Sequence, residues 1–282
     1  MIKFGLLLTK IERGLHPQRL ACEAEASGFD SFYLPENSHV PLIRPGTKKK
    51  IDNIRRLADF YDPYVCLAAC AALTKSIVLG ISVSLLTQRE PLVTSNAIAS
   101  LDRIANGRLV VGVAGGFIRE AMENFGSPFA QRWDIVRERA VKMRALWQDA
   151  EDSSCFSNDN WMMGRLITPP QQVGGPAIRI GSNSKYVPSR VADYADGWLT
   201  SYGTYEGDPV ADLKKACDSR DRDFSSVTLT MMNAPDSIEE LRPLIMAGYD
   251  EIVWSVGQPG KLSSIDRLNQ LADLRERLHD FG

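Results

Sequence analysis

Short apolar runs alternate with longer amphipathic stretches along almost the whole chain, and each kind of segment recurs eight times. The apolar runs are Ile2–Leu8, Ser31–Leu34, Ile77–Leu85, Arg108–Val113, Ala177–Ile180, Gly197–Thr200, Val227–Met232 and Glu251–Val256. They lack the strict alternation of a strand with one wet face, so they read as strands buried on both sides, the condition of a parallel sheet covered by helices. The stretches near Pro17–Ala26, Pro63–Thr74, Leu92–Ile104, Arg132–Gln148, Lys185–Tyr194, Pro209–Arg220, Ile238–Ala247 and Ser264–His279 read as helices. Several carry a proline near the first turn, where its missing N–H leaves no intrahelical bond unmade. One phrase marks the joints: "EASGFDSFYL" (Glu25–Leu34) and "IMAGYDEIVWS" (Ile245–Ser255) run from a helix end through glycine, an aromatic and aspartate into an apolar strand, and "YADGWLT" (Tyr194–Thr200) is a shortened version. Glycine after a helix takes the left-handed conformation that satisfies the last carbonyls, and the chain turns at once into the sheet.

Eight such units predict an α/β fold, a (β/α)8 TIM barrel formed by residues 1–282 as one domain. Two connections are too long for simple turns, Pro35–Tyr61 after strand two and Glu151–Pro176 before strand five. The first falls on the face where βα loops build active sites.

Composition narrows the partners. With 44% hydrophobic and 24% charged residues and a formal net charge of -2, the chain has the make-up of a soluble globular protein, and no basic excess points to nucleic acid. The longest apolar run, "VCLAACAAL" (Val65–Leu73), is too short to span a bilayer, and Met1 leads into "IKFGLLL" with no small-residue cleavage site. A cytoplasmic location with no membrane contact is therefore expected. The cysteines Cys22, Cys66, Cys70, Cys155 and Cys217 show no CxxC spacing, so neither a disulfide framework nor a zinc site is indicated, and Cys66 and Cys70, one helical turn apart, read as core packing.

The familiar catalytic constellations are missing. The histidines are His16, His39 and His279, with no metal-ligand spacing among them, and no metal site is expected. No GxSxG elbow occurs, no lysine sits toward the C-terminal end of a strand as a Schiff base would require, and Gly112, Gly115 and Gly116 do not make GxGxxG. A barrel with few candidate acids and bases points to a bound cofactor that carries the reactivity. Two strand ends offer places for one. "VVGVAGGFIREAMENFG" (Val110–Gly126) runs an apolar strand into bare backbone at Ala114–Gly116, which equally describes an ordinary glycine-rich turn. "IGSNSK" (Ile180–Lys185) ends a strand at Gly181 and places Ser182, Asn183 and Ser184 at the mouth of a helix, an anion-binding arrangement; the alternative is a plain N-cap at Ser184.

"GISVSLLTQREP" (Gly80–Pro91), "LDRIANGRLVVGVAGGFIREAMENFG" (Leu101–Gly126) and "IRIGSNSKYVPSRVADYADGW" (Ile178–Trp198) resemble three successive signatures of the bacterial luciferase-like flavin-dependent oxidoreductases. With "FGLLL" and "GFDSFYLPEN" the likeness covers nearly the whole chain, and it is greatest to the branch that uses the deazaflavin coenzyme F420.

The resemblance implies a cofactor site formed by Asn37, Ser82, Val83, Ser84, Ala114, Gly115, Gly116, Glu120, Gly181, Ser182, Asn183 and Ser184. Ala114 and Gly115 would let the flavin approach backbone, the loop at Gly181–Ser184 would take the phosphate, and Ser82–Val83 would be a non-prolyl cis peptide in a bulge behind the ring. Phe117, Tyr33 and Trp198 are possible walls, with Trp198 better suited to the core. Related enzymes commonly show an acidic residue followed directly by histidine in the second loop, whereas "PENSHVP" (Pro35–Pro41) has Glu36, then Asn37, with His39 further on, so Glu36 and His39 are the catalytic candidates at an altered corner. Asp102 and Arg108 resemble a structural pair around the turn at Gly107. The six basic residues of "RPGTKKKIDNIRR" (Arg44–Arg56) suit either an oligoglutamate tail or open solvent.

The function this implies is hydride transfer between bound F420 and a small organic substrate. The alternative is an FMN-dependent monooxygenase using O2 and reduced FMN from a partner reductase; a non-catalytic flavin-binding relative and a phosphate-binding TIM-barrel lyase stay open. A homodimer is expected, with Phe156, Trp161, Met162 and Met163 among the apolar groups to be covered.

Overall fold

In the computed structural model, whose described residues are 2–12, 14–41, 60–148, 166, 168–257 and 262–279, the eight apolar runs close into a parallel barrel in chain order. Its strands are β1 (Lys3–Leu8), β2 (Ser31–Leu34), β3 (Val78–Leu85), β4 (Leu109–Ala114), β5 (Ala177–Gly181), β6 (Gly197–Ser201), β7 (Thr228–Met232) and β8 (Glu251–Val256). β8 returns to β1 in register from Lys3 opposite Glu251 to Leu8 opposite Val256. The described helices are α1 (Pro17–Ala26), α2 (Pro63–Leu73), α3 (Pro91–Ile104), α4 (Arg119–Glu123), α5 (Arg132–Trp147), α6 (Val187–Tyr194), α7 (Pro209–Asp218), α8 (Ile238–Ala247) and α9 (Ser264–His279). The (β/α)8 expectation is met. Only α4 is additional, since five residues are too few to show a helical period.

The helix starts follow from local chemistry. Asp62, Glu90 and Asp208 each precede a proline and accept the first free N–H groups, as in the bonds from Tyr64 N at 2.9 Å, Val93 N at 2.8 Å and Val210 N at 3.0 Å. At the helix ends, Gly28 and Gly248 have φ of 74° and 104°, the left-handed turn that the recurring phrase predicts. The aspartate of that phrase has a job of its own. Asp30 accepts Phe4 N at 2.7 Å, Asp196 accepts Ile178 N at 2.8 Å and Asp250 accepts Leu229 N at 2.7 Å, so each ties the entry of its strand to the strand before it.

Apolar side chains fill both the layer between sheet and helices and the barrel interior, where Leu7, Tyr33, Leu199, Met232 and Val253 pack with Val83. Toward the N-terminal end of the strands the interior turns polar. Glu251 accepts Ser31 Oγ at 2.5 Å, Tyr33 OH at 2.9 Å, Thr230 Oγ1 at 3.0 Å and Arg179 Nη1 at 2.7 Å. Burial alone would pull the Arg179 guanidinium down, but Tyr33 and Glu251 hold it above its ordinary value; burial and then Glu251 push the Tyr33 hydroxyl up. Tyr33 thus lies beneath the site and is not one of its walls.

β3 departs from regular pairing where the site begins. Ile81 pairs with Val111 and Ser84 with Val113, so β3 spends one extra residue across this step. The Ser82–Val83 peptide inside that bulge is cis, as the resemblance implies.

Candidate active site

The C-terminal ends of β2, β3, β4 and β5 surround a cavity of about 440 Å³. Val83, pushed inward by the bulge, supplies its floor. A β-carbon built on Gly181 would lie 2.2 Å from Val83 Cγ1, so glycine is required there for the floor to exist. Leu85, Ala114, Ile118 and Ala121 add apolar wall; Asn37, Ser82, Gln88, Ser182 and Asn183 add polar groups.

Of the residues expected at a cofactor, Glu36, Asn37, His39, Ser82, Val83, Ala114, Gly115, Gly116, Gly181, Ser182 and Asn183 line this cavity. Ser84, Glu120 and Ser184 do not. Ser84 is fully buried behind the wall, bonded to Glu36 at 3.1 Å and to the Tyr64 hydroxyl at 2.7 Å. Glu120 is exposed on α4. Ser184 is not the N-cap of α6, which starts at Val187: its carbonyl cannot take the i+4 N–H because residue 188 is proline, and its hydroxyl accepts only Tyr186 N, at 3.4 Å. The serine carbonyl instead accepts Val187 N at 2.9 Å, and "GSNS" is a loop set ahead of the helix. That loop is pinned to β6, with Asn183 Oδ1 accepting Ser201 N at 3.0 Å and the Ser182 carbonyl accepting Trp198 Nε1 at 2.7 Å. Trp198 is fully buried in the core, as expected of it among the three aromatic candidates.

Gly115 also needs a different account. Its missing β-carbon faces Arg132, whose Cβ and Cγ would be 3.1 Å away, so the residue makes room for α5. Gly116 is glycine for its φ of 77°. Asp102 and Arg108 have structural partners but not each other: Asp102 accepts Gln172 N at 2.8 Å, and Arg108 donates to Ile77 O at 2.7 Å.

The two catalytic candidates are both fully engaged. One Glu36 oxygen accepts Leu85 N at 2.7 Å and Ser84 Oγ; the other accepts Arg89 Nε at 2.5 Å and also meets Arg89 Nη2. Arg89 continues to Asp62 at 2.6 Å and lies 4.2 Å over the Tyr64 ring. Burial would lower the Arg89 guanidinium, yet Glu36 more than reverses this, while burial and then Glu36 push the Tyr64 hydroxyl up. Glu36 is therefore a brace between the second loop and β3 rather than a free acid. His39 Nε2 accepts from Asn124 Nδ2 at 2.9 Å, so Nδ1 carries the proton and donates to Ser38 Oγ at 2.8 Å, whose hydroxyl donates to Gln88 Oε1 at 2.7 Å. The relay leaves the Gln88 amide nitrogen at the cavity wall beside Gly116, 3.8 Å from the position of a β-carbon there. Gln88, Trp133 and Leu85 also form the wall, and a lone glutamine between "SLL" and the helix proline is the one signal of this in the sequence.

Among the described residues no three metal-binding side chains converge, and no helix is long and apolar enough to cross a membrane. The basic stretch at 44–56 and the residues 156 and 161–163 lie outside the described residues.

The family model for luciferase-like monooxygenases matches residues 13–272. The chain belongs to the luciferase-like monooxygenase family. An uncharacterised protein of Mycobacterium tuberculosis (strain ATCC 25618 / H37Rv) is 31% identical to this luciferase-like chain over 266 residues, which cover 90% of it and 91% of the relative. Solved structures share the barrel fold. The monooxygenase RslO1 of Streptomyces bottropensis superposes with a TM-score of 0.76 at 17% identity, covering 99% of this chain and 100% of its own. An F420-dependent secondary alcohol dehydrogenase in complex with an F420-acetone adduct gives 0.75 at 14% identity, with 98% and 99% covered.

Proposed function

We propose that this luciferase-like chain is an oxidoreductase that binds the deazaflavin coenzyme F420 and passes a hydride between it and a small organic substrate. The observation that carries the reading is the cavity itself: its titratable wall groups, Glu36 and His39, are committed to holding loops in place, so the wall supplies binding and the ligand supplies reactivity. The residues present fit a flat three-ring cofactor. Val83, Leu85, Ala114 and Ile118 offer apolar surface, while Asn37, Ser82, Gln88 and Asn183 place polar atoms around it. The coenzyme, when bound, supplies the hydride-accepting ring. The chain's own residues orient it, exclude water from its face and present amide groups to a substrate oxygen.

The mass of the small molecule released on denaturation, together with fluorescence titration of the purified protein with F420 and with FMN, tests this. Binding of F420 with turnover of a secondary alcohol or ketone is expected. Binding of FMN alone would replace the reading with a monooxygenase served by a partner reductase, and binding without turnover would make the chain a flavin carrier. Failure of both cofactors to bind would remove the flavin reading altogether.

The same reading includes a homodimer. The exposed apolar side chains Val65 and Leu73 on α2 and Val93 and Ile104 on α3 lie on two helices packed side by side, and they support association through that flank. Light scattering is expected to give twice the chain mass; a monomer at all concentrations would reject the dimer.

A further inference from the structure

We propose that Gln88 selects the substrate: its amide N–H takes a neutral carbonyl oxygen at the outer side of the cavity, and Phe117 takes an apolar group attached to that carbonyl. This rests on the oxidoreductase reading and narrows its substrate to an uncharged ketone.

The turn that carries Gln88, Leu86–Gln88 after β3, is clamped from several sides. Thr87 Oγ1 donates to Gly115 O at 3.0 Å, Ser127 Oγ donates to Thr87 O at 2.5 Å, and Arg139 Nη1 donates to Leu86 O and Arg89 O at 2.5 Å each. The side chain is held as firmly. Its Oε1 takes the Ser38 hydroxyl, Ser38 is held by His39, and His39 by Asn124, with distances of 2.7, 2.8 and 2.9 Å along the line. Asn124 is the residue that ends α4, so the additional helix anchors the far end of the relay. A donor fixed in this way binds without first having to be ordered.

Only half of the amide is used by the protein. Gln88 is 8% exposed, and among the described residues Nε2 has no acceptor. Beside it, around the β-carbon position of Gly116, stand Leu85 Cδ2 and Met122 Cε. A donor facing a largely apolar cavity is costly unless the ligand brings an acceptor to it. The ligand's acceptor is neutral, because no arginine or lysine among the described residues lines the cavity. The arginines that touch this turn stay behind the wall, Arg89 paired with Glu36 and Asp62 and Arg139 turned to the two carbonyls. A carboxylate placed at Gln88 would lose its water and meet no opposite charge.

The amide serves the outer side of the cavity. Ser82, Val83 and Gly181 belong to strands, whereas Gln88 stands beyond the end of β3 and its relay leads out to the exposed Ser38 and Asn124. Phe117, next to Gly116, lines the same cavity yet is 69% exposed, and the Ile118–Ala121 cluster with Val40 continues the apolar surface beside it. An open aromatic face at the edge of a cavity is stabilised by an apolar group laid over it.

The test uses acetophenone labelled with 13C at its carbonyl, with ethylbenzene and benzoate as its uncharged and anionic counterparts. Each is titrated into the protein saturated with oxidised F420, and the infrared C=O stretch of the bound ketone is recorded, for the wild type, Gln88→Leu and Phe117→Ala. In the wild type acetophenone is expected to bind about fivefold more tightly than ethylbenzene, benzoate more weakly than acetophenone, and the stretch to lie below its value in hexane, as hydrogen bonding to the oxygen requires. Gln88→Leu should abolish the preference for the ketone and return the stretch toward the hexane value, while ethylbenzene binds as before and so reports a folded site. Phe117→Ala should weaken both neutral ligands alike and leave the stretch where it is. A stretch that is the same in the wild type and Gln88→Leu, a preference for benzoate, or a loss of F420 affinity in Gln88→Leu as large as the loss for the ketone would overturn the proposal. So would a wild type that holds F420 and takes none of the three probes, and in each of these cases the coenzyme reading stands. A wild type that does not bind F420 removes that reading first, and this one with it.

Discussion

Two arginine–carboxylate pairs with nearly the same chemistry sit at opposite ends of the barrel. In the interior, Arg179 and Glu251 have side chains 12% and 4% exposed; at the cavity, Arg89 and Glu36 are 22% and 5% exposed. The difference is in what they join. The interior pair, with Ser31, Tyr33 and Thr230, links β2, β5, β7 and β8, elements already fixed by the sheet. The outer pair links a loop to the end of β3 and to Asp62 at the start of α2. One belongs to the stability of the barrel. The other belongs to the shape of the site, in keeping with the division of labour between the two ends of such barrels.

The largest effect is expected from Glu251→Ala. It leaves Arg179 buried without its counter-ion, so unfolding free energy from denaturant titration should fall by about 3–5 kcal/mol. The double change Arg179→Met with Glu251→Leu should recover only part of this, because it removes the unpaired charge but leaves the Ser31, Tyr33 and Thr230 hydroxyls without their acceptor. A Glu251→Ala variant as stable as the wild type would dissolve the distinction between the ends.

Next in size is Gly181→Ala, which probes the floor directly. The new methyl group would force Val83 aside, costing about 1–3 kcal/mol and weakening cofactor binding in the same titrations. Unchanged affinity would mean that Val83 is not the floor of the ligand site.

Glu36→Gln keeps the shape and removes the charge. Stability should fall by only about 1 kcal/mol while cofactor affinity falls severalfold, because the second loop loses its brace to Arg89. A larger stability loss than that of Glu251→Ala would reverse the proposed roles.

The smallest effect concerns a carboxylate held chiefly by backbone N–H groups. Burial pushes the Glu25 carboxyl up, but the N–H groups of Ser76, Ile77 and Lys75 and the Ser76 hydroxyl outweigh it and hold it at about 2, against an ordinary 4.5. The stabilisation is present above the ordinary value and is lost as pH falls from about 4.5 toward 2. Thermal midpoints of the wild type and Glu25→Gln should therefore differ at about pH 6 and converge in acid. A constant difference would show that the hydrogen bonds, not the charge, carry the effect.

Much of this was legible before any coordinates. The strand beginning at Ser31 and the helix beginning at Pro17 were readable to the residue, because a buried parallel strand shows as an unbroken apolar run and a helix start shows as its proline. The cavity residues of β3, β4 and β5 were legible through the family's motifs. Ser184 and Glu120 were misplaced for opposite reasons: Pro188 delays the helix after Ser184, and Glu120 sits on a helical turn too short to announce which way it faces.

Sequence alone determined the barrel, its order of elements and the strand ends around which a cofactor site forms, since period, turn chemistry and motif are local properties of the chain. Only the tertiary structure decided the roles of individual polar groups. Whether Glu36 is an acid or a brace depends on Arg89, 53 positions away, and whether Gly115 faces a ligand or a helix depends on Arg132. Which donor reaches which acceptor is set by how distant segments pack, and that is settled only when the barrel closes.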